Sequence, residues 1–498
     1  MKSVRMKLAI LTGSMVLGWA STSAADVSFE VVIPEGMESY SGRVYVALAP
    51  AGGRGEPRQA MHGWFNPPPV FAVDVADAKA GDVVVIGADA LGHPVTTDEL
   101  EPGEWSAQAV LRINPDSPKA GTGAGDRYSA VTTISVPRDE AAREAMEAVR
   151  LVPSEVVQGT AFNESPRVRL LEFRSELLSA FHGRDYMVRA GIVVPEGFDE
   201  RSDDARYPVV VDIPGFGGTH RGAARMGRMI DRVYDGDILW VVPDPSCYRG
   251  HSVFADSATN GPWGAMLVEE MMPRIDEEFG GAGPEHRYAT GVSSGGWSSL
   301  WLQITYPDRF AGCWSHVPDP VDFRDFQQID LYQPGENMYV DGDGNERGLA
   351  RRGGEIMLTY REFVAREEVL GPGGQIHSFE AVFSPRLDSG EPLLIFDRET
   401  GEVDIEAVQT WKPYDIRLKL EESWQREMRS MAGKIHVYAG EVDTFYLEGA
   451  VELLKAMAER MGIDAEIEVI EGMGHSLHRE GMMDMLETMK ERWEARGE

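Results

Sequence analysis

Cysteine is nearly absent: Cys247 and Cys313 are the two in 498 residues. So sparse a pair excludes a disulfide framework, and both are expected as unpaired, mostly buried thiols on sheet strands that are not neighbours. Positive charge is scarce as well, with 48 basic residues against 81 acidic and a formal net charge of -33. Such a surface repels nucleic acid and anionic membranes, so neither is an expected partner. Long apolar runs are also missing. The stretch Leu8 to Ala20 is too short to span a bilayer, and no later segment approaches the roughly 18 to 20 apolar residues that a membrane helix needs. No internal repeat or extended low-complexity run interrupts the chain.

What is present begins with Lys2, Arg5 and Lys7 ahead of that apolar stretch, followed by the small residues Ser23-Ala24-Ala25. This reads as a secretory signal over residues 1–25, with the mature chain starting near Asp26 and an exported, periplasmic or secreted destination. No cysteine stands at the cleavage point, which argues against a lipid anchor. Residues 26–137 show short alternating strands between Pro and Gly turns, as at Val44, Val46 and Leu48 and at Val83 to Ile86. A small β-sandwich of immunoglobulin or fibronectin type is expected, with Trp105 where such corners usually carry tyrosine. Gly121 to Gly125 lacks the Lys-Ser/Thr of a phosphate loop and reads as a turn. Residues 138–165 read as a helical linker.

From residue 166 to 498, strand-like and helical patterns alternate. Val168 to Arg174 and Tyr186 to Val194 suggest an antiparallel pair, and Val209 to Ile213 and Ile238 to Val242 suggest buried parallel strands. The expected fold class is α/β, an α/β-hydrolase fold with a mostly parallel sheet. Residues 318–432 break the alternation with little clean periodicity and read as an insertion over the active-site mouth.

The densest chemical signal is Gly291-Val292-Ser293-Ser294-Gly295-Gly296, between the strand-like Arg287 to Thr290 and a helix carrying Trp297, Leu300, Trp301 and Ile304. It reads as a nucleophile elbow: the serine takes a strained backbone, and glycines are needed where a Cβ would meet neighbouring backbone. Ser293 is the expected nucleophile. A serine hydroxyl needs a histidine base and a carboxylate to orient it. Asp443, past the strand Lys434 to Ala439, and His475, in the glycine-flanked loop after Ile467 to Ile470, supply them in the order Ser, Asp, His. The rivals are His478 for the base and Glu441, Asp319 or Asp322 for the acid. Backbone N–H groups of Ser294 and of Phe216, in Pro214-Gly215-Phe216-Gly217-Gly218, are the expected oxyanion donors, with Gly217 close behind.

Here the chain resembles the putative-esterase family of α/β-hydrolases, which includes esterase D, enterochelin esterase-like and feruloyl esterase-like members. The likeness runs from about Val168 to the C-terminus apart from the insertion. It is carried by Pro262-Trp263-Gly264, Glu269 through Asp276, His286-Arg287, the elbow and Tyr306 to Phe310. It implies a metal-independent serine hydrolase that needs no cofactor and acts on a small-molecule or glycan-linked ester. Acyl transfer to a sugar alcohol, and a non-catalytic glycan-binding protein on a hydrolase scaffold, are the alternatives.

Other residues have two readings each. Asp341 to Asn345 begins like a calcium loop, but Glu346 stands where glycine is required and Arg352 where glutamate is required, so a surface turn is expected. His251 and Asn260 either line the pocket or make local loop hydrogen bonds. Trp411, Tyr414 and Trp424 either stack on substrate rings or form the insertion's own core.

Overall fold

The computed structural model describes residues 27–198 and 204–496; the expected signal segment lies outside them. Eight strands form the central sheet: β1 (Val168–Arg174), β2 (Met187–Val193), β3 (Val209–Ile213), β4 (Leu239–Pro243), β5 (Arg287–Val292), β6 (Gly312–His316), β7 (Ile435–Gly440) and β8 (Glu466–Ile470). Their order is β1-β2-β4-β3-β5-β6-β7-β8. The β1–β2 and β2–β4 pairings are antiparallel, and those from β4 through β8 are parallel. The apolar runs are continuous because both faces are covered: Val209, Val211 and Ile213 enter one apolar layer and Val210 the other. The first layer holds Trp263, Leu300 and Trp411; the second holds Trp240, Trp314 and Met485.

Helix α1 (Ser294–Thr305) is buried along almost its whole length, because the insertion packs on the face it would otherwise show to water. Trp297 meets Phe383 at 5.2 Å, and Trp301 stacks on Tyr414 at 5.6 Å. The helical stretch holding Pro273 does not simply kink. Its turns widen to π geometry over Met266–Met271 before the α-helix Met272–Phe279, which accommodates a residue without an N–H.

Ahead of this sheet lie two smaller ones, a three-stranded sheet and a seven-stranded sheet, sharing an apolar cluster that includes Phe29, Val46, Phe71 and Leu111. Trp105 Nε1 donates to Glu101 O at 3.0 Å. Residues 138–165 are not a helical linker. Helix is confined to Glu140–Glu144, while Val149–Leu151 pairs with Phe29–Val32 and Glu155–Val156 pairs with Arg127–Tyr128. Ala141 and Ala142 lie in that short helix, whereas Val149 serves a strand of the N-terminal sheets. The Gly121 to Gly125 turn is organised by Asp126, whose carboxylate accepts from the N–H groups of Ile113, Asn114, Gly121 and Gly123.

The insertion is more regular than its sequence suggests. It contains a hairpin of Gly348–Arg352 and Glu355–Thr359 and helices α2 (Tyr360–Leu370), α3 (Gln375–Phe383) and α4 (Ile416–Met431). Thr359 and Glu362 form a full capping box at the start of α2. The helical period is blurred because α2 is buried on several sides: Tyr45 Oη donates to Leu370 O at 2.8 Å and Arg43 Nη1 to Val369 O at 3.1 Å, which ties α2 to the N-terminal sheet. Trp411 and Trp424 are buried in the apolar layer shared with the central sheet. Asp341 Oδ1 accepts from the N–H groups of Asp343 and Asn345, an exposed turn. Both thiols are free and buried, and burial pushes each up to about 12. Cys313 is on β6, but Cys247 is in a short ribbon past β4 rather than in the central sheet. No helix among the described residues is long and apolar enough to cross a membrane.

Candidate active site

At the end of β5 the backbone of Ser293 stands at φ 61°, ψ −125°, a region costly for a residue with a Cβ. Neighbouring contacts enforce it. A Cβ on Gly291 would come within 2.4 Å of Gly295 backbone, and one on Gly295 within 1.9 Å of Ile213 O. Ser293 N donates to His316 O at 3.0 Å, fastening the turn to β6. Ser294 opens α1, whose first N–H groups have no partner within the helix.

Asp443 lies three residues past β7 and is fully buried. One carboxylate oxygen accepts from Phe445 N at 2.7 Å and the other meets His475 Nδ1 at 2.8 Å. With Nδ1–H donated to the carboxylate, Nε2 is left as the acceptor. The ring of Phe445 abuts His475 edge-on at 4.8 Å.

The rivals have other employment. Glu441 accepts from Gly472 N at 2.9 Å, Asp322 pairs with Arg324 and Arg417, and His478 caps the final helix by accepting from Gly481 N. Asp319 has a neighbourhood the sequence did not reveal: it accepts from Ser293 Oγ at 3.3 Å and from Ser294 Oγ at 2.5 Å. Burial pushes its carboxyl up to about 6, against the opposing pull of the two hydroxyls.

The loop 214–218 rests directly on the elbow, since a Cβ on Gly215 would fall 2.9 Å from Val292 O. His251 holds this loop from below. Its Nδ1 accepts from Val253 N at 3.0 Å, so Nε2–H donates to Pro214 O at 2.9 Å. Burial lowers its pKa to about 4, which keeps the ring neutral. His251 thus makes local loop hydrogen bonds, and one of them positions the loop beside Ser293.

Ser293, His475, Phe216 and Asp319 line one cavity of about 390 Å³. Its remaining wall comes from far along the chain: Trp64 from ahead of the central sheet, Gln327, Gln375 and Phe379 from between β6 and β7, and Phe445. Trp64 contacts Phe216, Phe363 and Phe445 with ring centroids 6.1, 5.0 and 5.6 Å apart. A larger cleft of about 720 Å³ also borders Phe216, with Asn114 and Lys119 on one part of its lining and Arg189, His220 and Asp244 on another. His436, Glu466 and Asp484 are close enough to one another to hold an ion, but they do not line the Ser293 cavity.

The model of a family described as "Putative esterase" matches residues 182–482. No curated protein matches the chain. Among solved structures, a ferulic acid esterase is similar at 13% identity and a TM-score of 0.38, over 65% of this chain and 96% of that one. An S-formylglutathione hydrolase from Agrobacterium tumefaciens is similar at 17% identity and 0.38, over 67% and 97%. Fluorophosphonate-binding serine hydrolase F of Staphylococcus aureus is similar at 12% identity and 0.41, over 65% and 99%.

Proposed function

Because the chain belongs to the putative-esterase family, we propose that it hydrolyses carboxylic esters through Ser293, His475 and Asp443 by way of an acyl-enzyme. The reading is carried by one observation: a serine held in the elbow conformation and a histidine paired with a buried aspartate at 2.8 Å face the same cavity. At rest the Ser293 hydroxyl donates to Asp319, so reaction begins with its rotation toward His475. Oγ then bonds to the ester carbonyl carbon as its proton passes to His475 Nε2. Asp443 holds the resulting imidazolium through Nδ1–H. Negative charge on the former carbonyl oxygen is stabilised by the N–H groups of Ser294 and Phe216.

Collapse breaks the bond to the alcohol oxygen, which takes the proton from Nε2. Water enters, gives a proton to the same nitrogen and adds to the acyl carbon; the acid then leaves and Ser293 regains its proton. We read the N-terminal strands as a sandwich that completes the cavity wall, the central sheet with its mostly parallel pairings as an α/β-hydrolase fold, and the leading residues as an export signal.

The test is hydrolysis of a panel of acetyl, feruloyl and longer acyl esters by wild type and Ser293→Ala. Wild type cleaves at least one, and the variant loses at least about a thousandfold in kcat. An alanine variant with full activity removes Ser293 from the reaction.

A further inference from the structure

Beside the Ser293 cavity lies a smaller one of about 40 Å³, which shares Trp64, Phe216 and Gln375 with it. Two cations line it, Lys119 from the N-terminal domain and Arg366 from the middle of α2. Arg366 is only 7% exposed. Its Nε is buried without a hydrogen-bond partner, and among the described residues its guanidinium has no ion pair. The carboxylate that offsets its charge, Glu367, has its own oxygens engaged by the N–H groups of Ile376 and His377 at 3.2 and 3.1 Å.

The Lys119 ammonium stands over the loop beside the elbow, 3.7 Å from where a Cβ on Gly217 would be, and has no ion pair among the described residues. The two cations oppose each other: burial and then Arg366 lower the pKa of Lys119. His62, on the same wall, is pushed down to about 4 by burial, with both cations adding to the effect, so it brings no further charge.

A buried guanidinium is costly unless an opposite charge meets it. Glu367 lines the same cavity and offsets one of the two charges, so Lys119 and Arg366 together leave it net positive in a chain of net charge -33. At about 40 Å³ the cavity exceeds the roughly 10–15 Å³ that one water needs, leaving room for a small anionic group such as a carboxylate. Gln375 joins the two cavities, lining both and reaching Asp319 beside the nucleophile.

We propose that Arg366 and Lys119 receive a carboxylate carried by the substrate, so that the enzyme selects esters bearing an anionic group near the scissile bond. This rests on the ester-hydrolase reading above.

Two matched pairs of aryl esters test it. 4-Nitrophenyl hydrogen glutarate against 4-nitrophenyl valerate places the charge on the acyl side, and 4-butyryloxybenzoate against phenyl butyrate places it on the alcohol side. In one of the two pairs the charged ester is favoured in kcat/KM by about tenfold or more. That ratio falls toward one in Lys119→Met and in Arg366→Met, and is partly restored in Arg366→Lys. Lys119 is partly exposed, so its variant keeps the test open if the Arg366 variants fail to fold. Hydrolysis of the neutral esters with no charged preference in either pair, or a preference that survives both methionine substitutions, overturns the proposal. If no ester is cleaved, the hydrolase reading fails, and calorimetric titration with glutarate judges the cavity alone. Binding that weakens in Lys119→Met supports it; absence of binding to wild type overturns it.

Discussion

Replacing Asp319 by asparagine stabilises the protein at alkaline pH and leaves its stability in acid nearly unchanged. Asp319 is 3% exposed, and burial raises its carboxyl from the ordinary 3.8 to about 6. At about 1.4 kcal/mol per pH unit, that rise corresponds to roughly 3 kcal/mol of penalty for the ionised form in the folded state. Because the folded chain binds this proton more tightly than the unfolded chain, the stability it contributes is complete below the unfolded value of 3.8. It is lost as pH rises through about 6. Asparagine fills the same space and, like the protonated carboxyl, accepts from one of the two serine hydroxyls and donates to the other, but it never ionises.

Urea unfolding followed by circular dichroism at pH 4, 6 and 8 reads the difference. The variant gains about 2 to 3 kcal/mol over wild type at pH 8, less at pH 6 and almost nothing at pH 4. An equal gap at all three pH values, or a variant less stable than wild type at pH 8, refutes the reasoning about this buried charge.

Three further outcomes are expected. Asp443→Asn lowers kcat by roughly 10⁴ in steady-state ester hydrolysis, since an amide in place of the carboxylate favours the wrong His475 tautomer. Gly295→Ala puts a Cβ 1.9 Å from Ile213 O and costs more than about 3 kcal/mol or prevents folding, whereas Gly342→Ala, with nothing within 4 Å, stays within about 1 kcal/mol of wild type in thermal unfolding. Trp64→Ala raises KM for an aryl ester by about 2- to 10-fold, the equivalent of one lost ring contact, although the residue lies far from Ser293 in the chain.

The elbow, Asp443 and His475 were legible in the sequence because each is defined locally. Ser293 is set by glycines two residues away, and the other two sit in loops just beyond apolar strands. Strands such as Val209–Ile213 were legible because burial on both faces leaves a nearly continuous apolar run, interrupted at Asp212 alone. The segment 138–165 misled because Ala141, Ala142, Ala145 and Met146 fit a helical face, while the parallel pairing of Val149–Leu151 with Phe29–Val32 depends on residues more than a hundred positions away. The same distance hid Trp64, Gln375 and Arg366, which reach the site through tertiary packing and carry no local motif. Phe445 was closer to view, two residues past Asp443, but its role follows from a ring contact with His475 that spacing does not encode. Asp319 was visible as a carboxylate after β6, yet its partners proved to be the two serine hydroxyls rather than the histidine.

Covalent labelling with a fluorophosphonate, followed by peptide mass mapping, tests the catalytic assignment most directly. A single adduct on Ser293 is expected, formed much more slowly in His475→Ala and Asp443→Ala. A folded protein that takes no label, or takes it at another residue, contradicts the account.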